Sequence, residues 1–541
     1  MRIVRAGSES GIALVIAIAV TMVISAMALA IATLSITEKG IPVNQKVAAQ
    51  ALFNADAAVE VAKQQMATFS QAKMETLRTV WPGVGAIITN PLSFFPAGGL
   101  TFNSNQHEFE VVTTFEFADS TLLATSQTFN FRYRSLAKGT SYISGEKHVV
   151  AEGNLRLSAS RGSFSDFLLF TDTHYTPSGS PIWFHTSGYF DGRIHSNDKL
   201  RFAYFPTFED LVTCVPQKAS YYNNGKPKDL DADRNGNIDV PNFYGGFERG
   251  ADRVDLPSNS FSQERAALGY AAVDTTQLST GEIKQALGLD PAAPGAVPNG
   301  LYVPNDSVSV TGGIYIVGDA RDVTLSINHY GFQDYEVTDE NGVTSHVVLD
   351  RTNLVTKIYS GGDSTIYAGL PRGMVYVTGG ISSIGGKARV AGTPPPALEE
   401  HTQVTITAKD DILIDRDIVY EDFVSTDCVL GVYSAGGDIR ITTAAPDELM
   451  LDAYILAAGS RGAFTVDNYN RGSYRGQVHL RGGVVEKYYG PFGTFGQNGA
   501  QTGYGRDFRY DRRGISPPYY PLTNVFKVDK PVPHTTSWRE A

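Results

Sequence analysis

The sequence predicts a mainly β protein with a long N-terminal transmembrane α-helix, a small antiparallel β region, and then a right-handed parallel β-helix-like solenoid with insertions. Three observations predict this fold class. The segment from Gly11 to Thr37 contains no charged side chain. Residues 105 to 157 alternate between apolar and polar side chains. From about Ser163 onward, short β-branched runs alternate with Gly and Gly-Asp turns, which is typical of stacked short strands.

The apolar segment is long enough to cross a membrane once. At the 1.5 Å rise per residue of an α-helix it reaches roughly 40 Å, whereas the hydrocarbon core of a bilayer is about 30 Å thick. A cleaved secretory signal needs an apolar region of only about 7 to 15 residues. Arg2 and Arg5 precede the segment, and by the positive-inside rule this end stays in the cytoplasm. The rest of the chain is therefore expected outside the membrane.

The helix is expected to continue beyond the apolar segment to about residue 75. Apolar side chains recur there at three- and four-residue spacing and form one stripe. Gly40 and Pro42 should bend or loosen the helix near Lys39, because proline lacks a backbone donor and clashes with the preceding turn. The stripe consists of Ala48, Ala51, Leu52, Ala55, Ala58, Val59, Ala62, Met66 and Phe69.

The N-terminus resembles a known family. A short basic leader ends in Gly11, an apolar helix begins immediately after it, and an Ala-rich helix follows at Lys46–Glu60. Together these features are similar to the N-terminus of type IV pilin-like proteins, and most of all to the PilX-type minor pilins. The resemblance implies that a prepilin peptidase cleaves after Gly11, which leaves Ile12 as the mature N-terminus with a methylated amine.

Ile16 departs from the pattern of the major pilins, which carry a Glu at the fifth mature position. In that family the Glu pairs with the N-terminal amine of the neighbouring subunit. The tip subunit of type II secretion pseudopili also lacks it, so the resemblance implies a rare subunit with few or no subunits ahead of it. A plain single-pass anchor that never enters a filament is the alternative.

Four segments follow from these patterns: a leader (1–11), a transmembrane and amphipathic helix (12–75), a small β region (76–160) and a β-helical exterior domain (161–541). The full 541 residues leave room for two or three domains or one long solenoid. The alternation at residues 105–157 predicts antiparallel strands with one buried face, which would complete a pilin-like head.

The exterior domain repeats short strand phrases. Corresponding turns in Val404–Ile414, Val429–Ile441 and Tyr454–Gly459 fall about 25 residues apart, which indicates coils of a parallel β-helix. A β-sandwich is the alternative, but hairpin signals are scarce. The clear hairpin, around Asn341 and Gly342, predicts an insertion at residues 329–351.

Residues 204–300 are expected to form a second insertion, with a short helix near Glu282 to Leu287. Ser279 and Glu282 have the spacing of a capping box at its start. Residues 160–541 also resemble an uncharacterised domain often found behind PilX-type N-termini, and that resemblance supplies no activity. It rests on Ile194–Asp198, Val419–Asp422, Lys487–Phe495 and Gly503–Tyr510.

Charge and cysteine content exclude several function classes. The net charge of −11 argues against nucleic-acid binding, which takes a basic face. Two cysteines cannot form a disulfide framework, although an exported location would permit one bridge. We favour two separately buried thiols, Cys214 and Cys428, over a bridge between them.

We predict no enzymatic activity. The chain has no G-x-S-x-G elbow, HExxH helix or P-loop. A parallel β-helix can carry polysaccharide lyase or hydrolase sites built from grouped carboxylates, yet turn chemistry alone explains Gly-Asp and Asp-Asp at turns. The side chains available to such a site are Asp166, Asp172, His195, Asp198, Asp410, Asp411, Asp415 and Asp417.

The C-terminal region is rich in Tyr and Phe. These residues could form a sugar- or surface-binding platform, or cap the open end of a solenoid, and we favour the cap. They are Tyr488, Tyr489, Phe492, Phe495, Tyr504, Phe508, Tyr510, Tyr519 and Tyr520.

The acidic loop Asp229–Asp239 matches a calcium-binding pattern at six positions. Gly236 stands at the sixth position, where the chain must turn sharply. The predicted ligands are Asp231, Asp233 and Asn235 at positions one, three and five, Asn237 through its carbonyl at seven, and Asp239 at nine, directly or through water.

The twelfth position of this loop is Asn242 rather than the expected bidentate Glu, so the last ligand is weaker or comes from Asp229 or Glu248. We predict a structural calcium ion, because clustered carboxylates repel one another without a cation. An unliganded Asp/Asn/Gly turn is the alternative.

The resemblance implies a minor pilin or pseudopilin that contributes to the assembly or tip of a type IV pilus-like filament. A membrane-anchored adhesin and a β-helical polysaccharide-acting enzyme are the alternatives. The expected partners are other pilins through the N-terminal helix, the prepilin peptidase, the inner membrane, and a surface or glycan, but no nucleic acid. The expected location is the inner membrane, crossed once with the N-terminus cytoplasmic, and then the cell surface or pilus filament.

Overall fold

The protein is mainly β, with one long apolar N-terminal helix and several sheets. It forms two compact units, one of residues 1–160 with 528–541 and one of residues 161–527. The computed structural model describes residues 9–77, 91–104, 108–122, 126–143, 145–186, 188–273, 276–424, 427–496 and 499–541.

The first unit contains one continuous helix, α1 (Glu9–Leu77), with Pro42 inside it. Proline removes one backbone hydrogen bond, and the carbonyl that loses its partner belongs to Glu38, four residues earlier. Both residues are exposed, so that carbonyl can reach water. The loosening predicted near Lys39 therefore does not end the helix.

A sheet of antiparallel strands lies against the second half of α1. Each strand pairs antiparallel with the next, and the last strand of the chain, Val532–Glu540, pairs antiparallel with the fourth. These pairings confirm the antiparallel strands predicted from the alternation. The four strands are β1 (Leu100–Asn103), β2 (Phe109–Leu122), β3 (Ser126–Thr140) and β4 (Glu146–Ser163).

We call α1 beyond Lys46 together with this sheet the head. The apolar stripe of α1 faces the sheet as predicted, and small side chains let helix and strands approach closely. The buried core of the head is Ala55, Ala58, Val59 and Ala62 of α1 with Val111, Ala137, Val149 and Ala151 of the strands.

The second unit begins with ten short strands. The chain returns repeatedly to three sheets, and strands of successive returns pair in parallel, as β5–β7–β10–β14, β6–β9–β13 and β8–β11. They are β5 (Leu169–Thr173), β6 (Tyr189–Phe190), β7 (Ile194–Ser196), β8 (Arg201–Phe202), β9 (Thr207–Phe208), β10 (Val212–Cys214), β11 (Ala219–Tyr221), β12 (Lys228–Leu230), β13 (Asn242–Phe243) and β14 (Phe247–Arg249).

This arrangement differs from the expected insertion at 204–300. Residues 207–249 supply strands to the same sheets as their neighbours, and the helical excursion begins only after β14. It contains α2 (Phe261–Ala267) and α3 (Thr280–Ala286). The capping box is confirmed, because Ser279 Oγ accepts the Glu282 N–H and the Glu282 carboxylate accepts the Ser279 N–H.

The predicted hairpin at 329–351 is confirmed and is part of a longer antiparallel meander. β18 and β19 pair around Asn341 and Gly342, and two further strands extend the sheet. The elements after α3 are β15 (Gly300–Tyr302), β16 (Ile314–Val317), β17 (Ala320–Ile327), β18 (Gln333–Asp339), β19 (Thr344–Asp350), β20 (Val355–Ser360) and β21 (Asp363–Ala368).

The next nine strands alternate between two sheets. Even-numbered strands join a 13-stranded sheet and odd-numbered ones a 9-stranded sheet, and neighbours in this stretch pair in parallel. They are β22 (Met374–Val377), β23 (Ile381–Gly385), β24 (Gln403–Ala408), β25 (Ile412–Ile414), β26 (Val429–Ser434), β27 (Ile439–Ile441), β28 (Leu449–Ala457), β29 (Phe464–Val466) and β30 (Tyr474–Tyr488).

Aliphatic side chains stack in register from strand to strand and form the core of the second unit. Burial of such side chains is the main favourable term of folding. One buried column of the 13-stranded sheet is Ile314, Val375, Ile406, Val432 and Ile455. The 9-stranded sheet contributes Ile384, Ile414, Ile441 and Val466 to the same core.

The chain ends in the first unit. The sequence predicts an exterior domain that runs to residue 541, but residues 528–541 belong to the head, where β34 forms an edge strand on β4. An edge pairing between strands so distant in sequence leaves no local pattern to detect. The last strands are β31 (Gly493–Gly496), β32 (Gly499–Tyr510), β33 (Leu522–Val528) and β34 (Val532–Glu540).

Candidate functional site

The first half of α1 presents an apolar surface with no partner among the described residues. By length and composition alone, Leu14–Glu75 contains a stretch apolar enough to cross a membrane. Leu14, Met22 and Ile36 are each more than half exposed. A surface of this kind needs a bilayer or other apolar helices to cover it.

The predicted cleavage site lies at the start of this helix. Gly11 and Ile12 belong to the helical backbone of α1, whereas residues 1–8 of the leader lie outside the described residues. Ile16 is exposed like its apolar neighbours. Cleavage after Gly11 therefore stays a prediction.

Gly139 sets the distance between α1 and the head sheet. A Cβ atom at Gly139 would lie 2.1 Å from the Ala51 carbonyl oxygen and 2.3 Å from the Ala55 backbone nitrogen. Both are backbone atoms of α1, so neither can rotate away. This position of β3 therefore requires glycine.

We expect Gly139→Val to destabilise the head by about 2 kcal/mol, because the helix would have to move off the sheet. Urea unfolding of the full chain in detergent, followed through head aromatic signals, measures the change. Gly98→Val is the matched control, since a Cβ there meets nothing within 4 Å. Equal stability of the two variants would contradict the close approach.

The segment Ile194–Asp198 contains a buried polar network. Asn197 Nδ2 donates to Asp172 Oδ1 at 2.7 Å and to the Val254 carbonyl at 2.6 Å, and Asn197 Oδ1 accepts the Val254 N–H at 3.0 Å. Arg253 Nη2 donates to Asp172 Oδ1 at 2.6 Å, and Lys487 also pairs with this carboxylate. The network fastens residues 253–254 to the sheet.

The charge states in this network follow from its partners. Burial raises the pKa of Asp172, but the bonds from Lys487 and Asn197 outweigh it, so the pKa is lowered. Burial lowers the pKa of His195 to about 4 and that of His174 to about 3. Both histidines are therefore neutral at physiological pH, and His195 lies 2.8 Å from the Thr213 hydroxyl.

The carboxylates proposed for an enzyme site tie turns and strands together. Asp411 Oδ1 accepts a hydrogen bond from the Asp438 N–H of the following turn at 2.8 Å. The Asp417 carboxylate accepts hydrogen bonds from both Nε and Nη2 of Arg389. This is the turn chemistry expected of such residues. The other carboxylate partners are Lys527 for Asp166, the His174 N–H for Asp198, and Ser383 and Arg416 for Asp415. Asp410 contributes its backbone carbonyl, which accepts the Ser434 hydroxyl.

The cysteines and C-terminal aromatic residues belong to the core. Cys214 and Cys428 are buried and form no disulfide with each other, as favoured from the sequence. Several aromatic side chains expected to cap the fold are buried, so they form no open platform at those positions. The side chain of Phe495 is not among the described side chains. The buried ones are Tyr489, Phe492, Tyr504, Phe508 and Tyr520.

The acidic loop does not gather its predicted calcium ligands around one point. Arg249 Nε donates to Asp231 Oδ1 at 3.0 Å and Arg249 Nη1 to Asp233 Oδ1 at 2.8 Å. Asp239 is fully buried, and its carboxylate accepts the Tyr204 N–H at 3.0 Å and the Asn223 N–H at 2.8 Å.

Two other predicted ligands do not change this arrangement. Asn235 Nδ2 donates to Asp239 Oδ2 at 3.3 Å, and the backbone carbonyl of Asn237 as a ligand stays a prediction. Gly236 has a φ of +57°, which fits the sharp turn of the motif. In the described part of the chain, no group of three or more His, Cys, Asp or Glu side chains is arranged to hold a metal ion. The residues present therefore do not fit a preformed calcium site.

Comparisons with known proteins add one family match. A family model described as a domain of unknown function (DUF4900) matches residues 128–215, from β3 through β10. No curated protein matches the chain. The crystal structure of the competence-associated pilin ComZ from Thermus thermophilus is similar over 92% of this chain and 98% of its own, with 11% identity and a TM-score of 0.30.

Proposed function

We propose that the protein is a minor pilin or pseudopilin, of the PilX type, that acts in the assembly or at the tip of a type IV pilus-like filament. One observation carries the proposal: α1 is a single helix whose first half is apolar and exposed and whose second half packs on a small antiparallel sheet. Such a helix serves two environments in turn, the inner membrane before assembly and the helices of other pilins afterwards.

The second unit is the part displayed outside the cell. We infer that it is a right-handed parallel β-helix, because strands that alternate between two parallel sheets are what successive coils produce. Aliphatic columns running from strand to strand support this interpretation. A unit of this size in every subunit would be hard to pack around a thin helical core, which favours the tip. Surfaces and glycans are its candidate partners.

The remaining partners would bind through the N-terminus. A prepilin peptidase would process the chain between Gly11 and Ile12. Ile16 provides no carboxylate for the amine of a neighbouring subunit, which suits a subunit with none ahead of it. We propose no catalytic role, since the candidate carboxylates other than Asp410 bind partners within the turns and strands described above.

Fractionation tests the proposal against a membrane-anchored adhesin. We expect the chain to be recovered with sheared filaments, at a copy number far below that of the main pilin, with the rest in the inner membrane. The measurement is immunodetection of this chain in the sheared-filament and inner-membrane fractions, in cells with the main pilin and in cells from which it has been deleted. A chain that stays wholly in the inner membrane while filaments are sheared off would favour the anchored adhesin.

A further inference from the structure

Arg249 lies at the end of β14, and its side chain contacts the acidic loop. Its side chain is 15% exposed, whereas the Asp231 and Asp233 side chains are 69% and 62% exposed. The guanidinium is therefore the buried member of this cluster, and the two carboxylates lie on its solvent side. Arg249 Nη1 also lies 3.4 Å from the Ala232 carbonyl oxygen, which it contacts as a donor.

The packing around Arg249 fixes this position. Its guanidinium lies 4.5 Å from the centre of the Phe247 ring, within the range of a cation–π contact. The Ala232 carbonyl also accepts the Tyr221 hydroxyl. The fork of an arginine can hold two carboxylates and a carbonyl at once, which are the oxygen types that a calcium ion would take from the same residues.

The ninth position of the motif is engaged elsewhere. Backbone N–H groups of Tyr204 and Asn223 occupy the oxygens of Asp239, and this buried carboxylate thereby ties the loop to the neighbouring segments. The motif is thus divided into an outer pair of acids around Arg249 and an inner acid held by backbone donors.

We propose that Arg249 is the built-in counter-ion of the acidic loop, taking the place of the divalent cation that the sequence motif predicts. The positive charge of Arg249 cancels the repulsion between Asp231 and Asp233 without metal. The loop then keeps the sharp turn of a calcium motif and folds independently of calcium.

The test compares the full chain in detergent with the variant Arg249→Gln, in chelator and in about 1 mM calcium, a concentration at which extracellular calcium loops fill. Limited proteolysis followed by mass spectrometry measures cleavage within residues 225–249. We expect the unaltered chain to resist cleavage equally in both solutions. Arg249→Gln in chelator should be cleaved about tenfold faster, because two charge-assisted hydrogen bonds are lost.

Arg234→Gln is the matched control. Arg234 lies in the same loop, is exposed and makes no ion pair with the described residues, so the variant changes the net charge equally and should resist cleavage like the unaltered chain. A second variant, Asp231→Asn and Asp233→Asn combined with Arg249→Gln, removes the repulsion together with the counter-ion. It should regain resistance.

Three outcomes would overturn the proposal. The first is calcium uptake by the unaltered chain in calorimetry, with protection that is lost in chelator. The second is unchanged resistance of Arg249→Gln in chelator. The third is that neither Arg249→Gln nor the triple variant folds, which would mean that Arg249 acts through packing and not through its charge.

Discussion

Unprocessed precursor should accumulate in the membrane when Gly11 is replaced by Val. The resemblance to prepilins places cleavage after Gly11, and a branched side chain there would block the peptidase. Gly11 lies in the helical backbone of α1, where glycine costs a helix about 1 kcal/mol relative to alanine. The amount of processed protein should fall strongly, and the chain should disappear from sheared filaments.

Intact-mass analysis checks this prediction, since the mature chain should begin at Ile12. Gly40→Val is the matched control: it makes the same change in the same helix, and a Cβ at Gly40 meets nothing within 4 Å. That variant should be processed normally. Retention of Met1 in the unaltered protein, or cleavage after residue 30, would contradict the assignment.

Long periodic patterns made the first unit predictable from sequence. The three- and four-residue spacing of Ala55, Ala58, Val59 and Ala62 placed one face of α1 on the sheet, and these residues form the head core. The period-two alternation identified β2, β3 and β4 in the same way. Such signals persist over many residues, so a few exceptions do not hide them.

Strands of two or three residues escaped the same reasoning. β8, β9 and β13 contain two residues each, which is too short for any period to show. The sequence therefore predicts an insertion from 204 onward, whereas residues 207–249 pair in register with neighbouring strands. The return of β34 to β4 was missed for a related reason, because its partner lies far away in sequence.

The acidic loop shows a different limit. The spacing of Asp231, Asp233 and Gly236 predicted a calcium motif, and the turn at Gly236 has the required backbone. What the spacing could not show is the partner of those acids, since Arg249 comes from β14, the second strand after the loop. A basic residue shortly after an acidic motif is the one signal that could have indicated it.

Glu486 is a buried ionisable group of the second unit whose protonation should affect the stability of that unit. Its side chain is buried, and Oε2 accepts the Phe464 N–H at 2.9 Å and the Gly490 N–H at 3.0 Å. Burial raises its pKa to about 7, against the opposing effects of these hydrogen bonds and of Arg506. A neutral glutamic acid therefore persists here at pH values where an exposed one is ionised.

We expect Glu486→Gln to stabilise the second unit at pH 8 and to have little effect at pH 4. Between the usual pKa of 4.5 and the folded value of about 7, the folded chain binds more protons than the unfolded one. Stability therefore falls as pH rises through this window, by at most about 3 kcal/mol at 1.36 kcal/mol per pKa unit.

Glutamine keeps an oxygen for the Phe464 and Gly490 N–H groups and cannot ionise, so this loss should vanish in Glu486→Gln. Urea unfolding of the full chain in detergent from pH 4 to 8 measures the free energy of unfolding of the variant and of the unaltered protein. The difference between the two removes the contributions of His174 and His195, because both proteins contain these histidines. Glu400→Gln, at an exposed position of the same unit, should follow the unaltered profile. If the profile of Glu486→Gln also runs parallel to that of the unaltered protein, Glu486 does not hold its proton in the folded chain, since only a group that titrates differently on folding can change the slope.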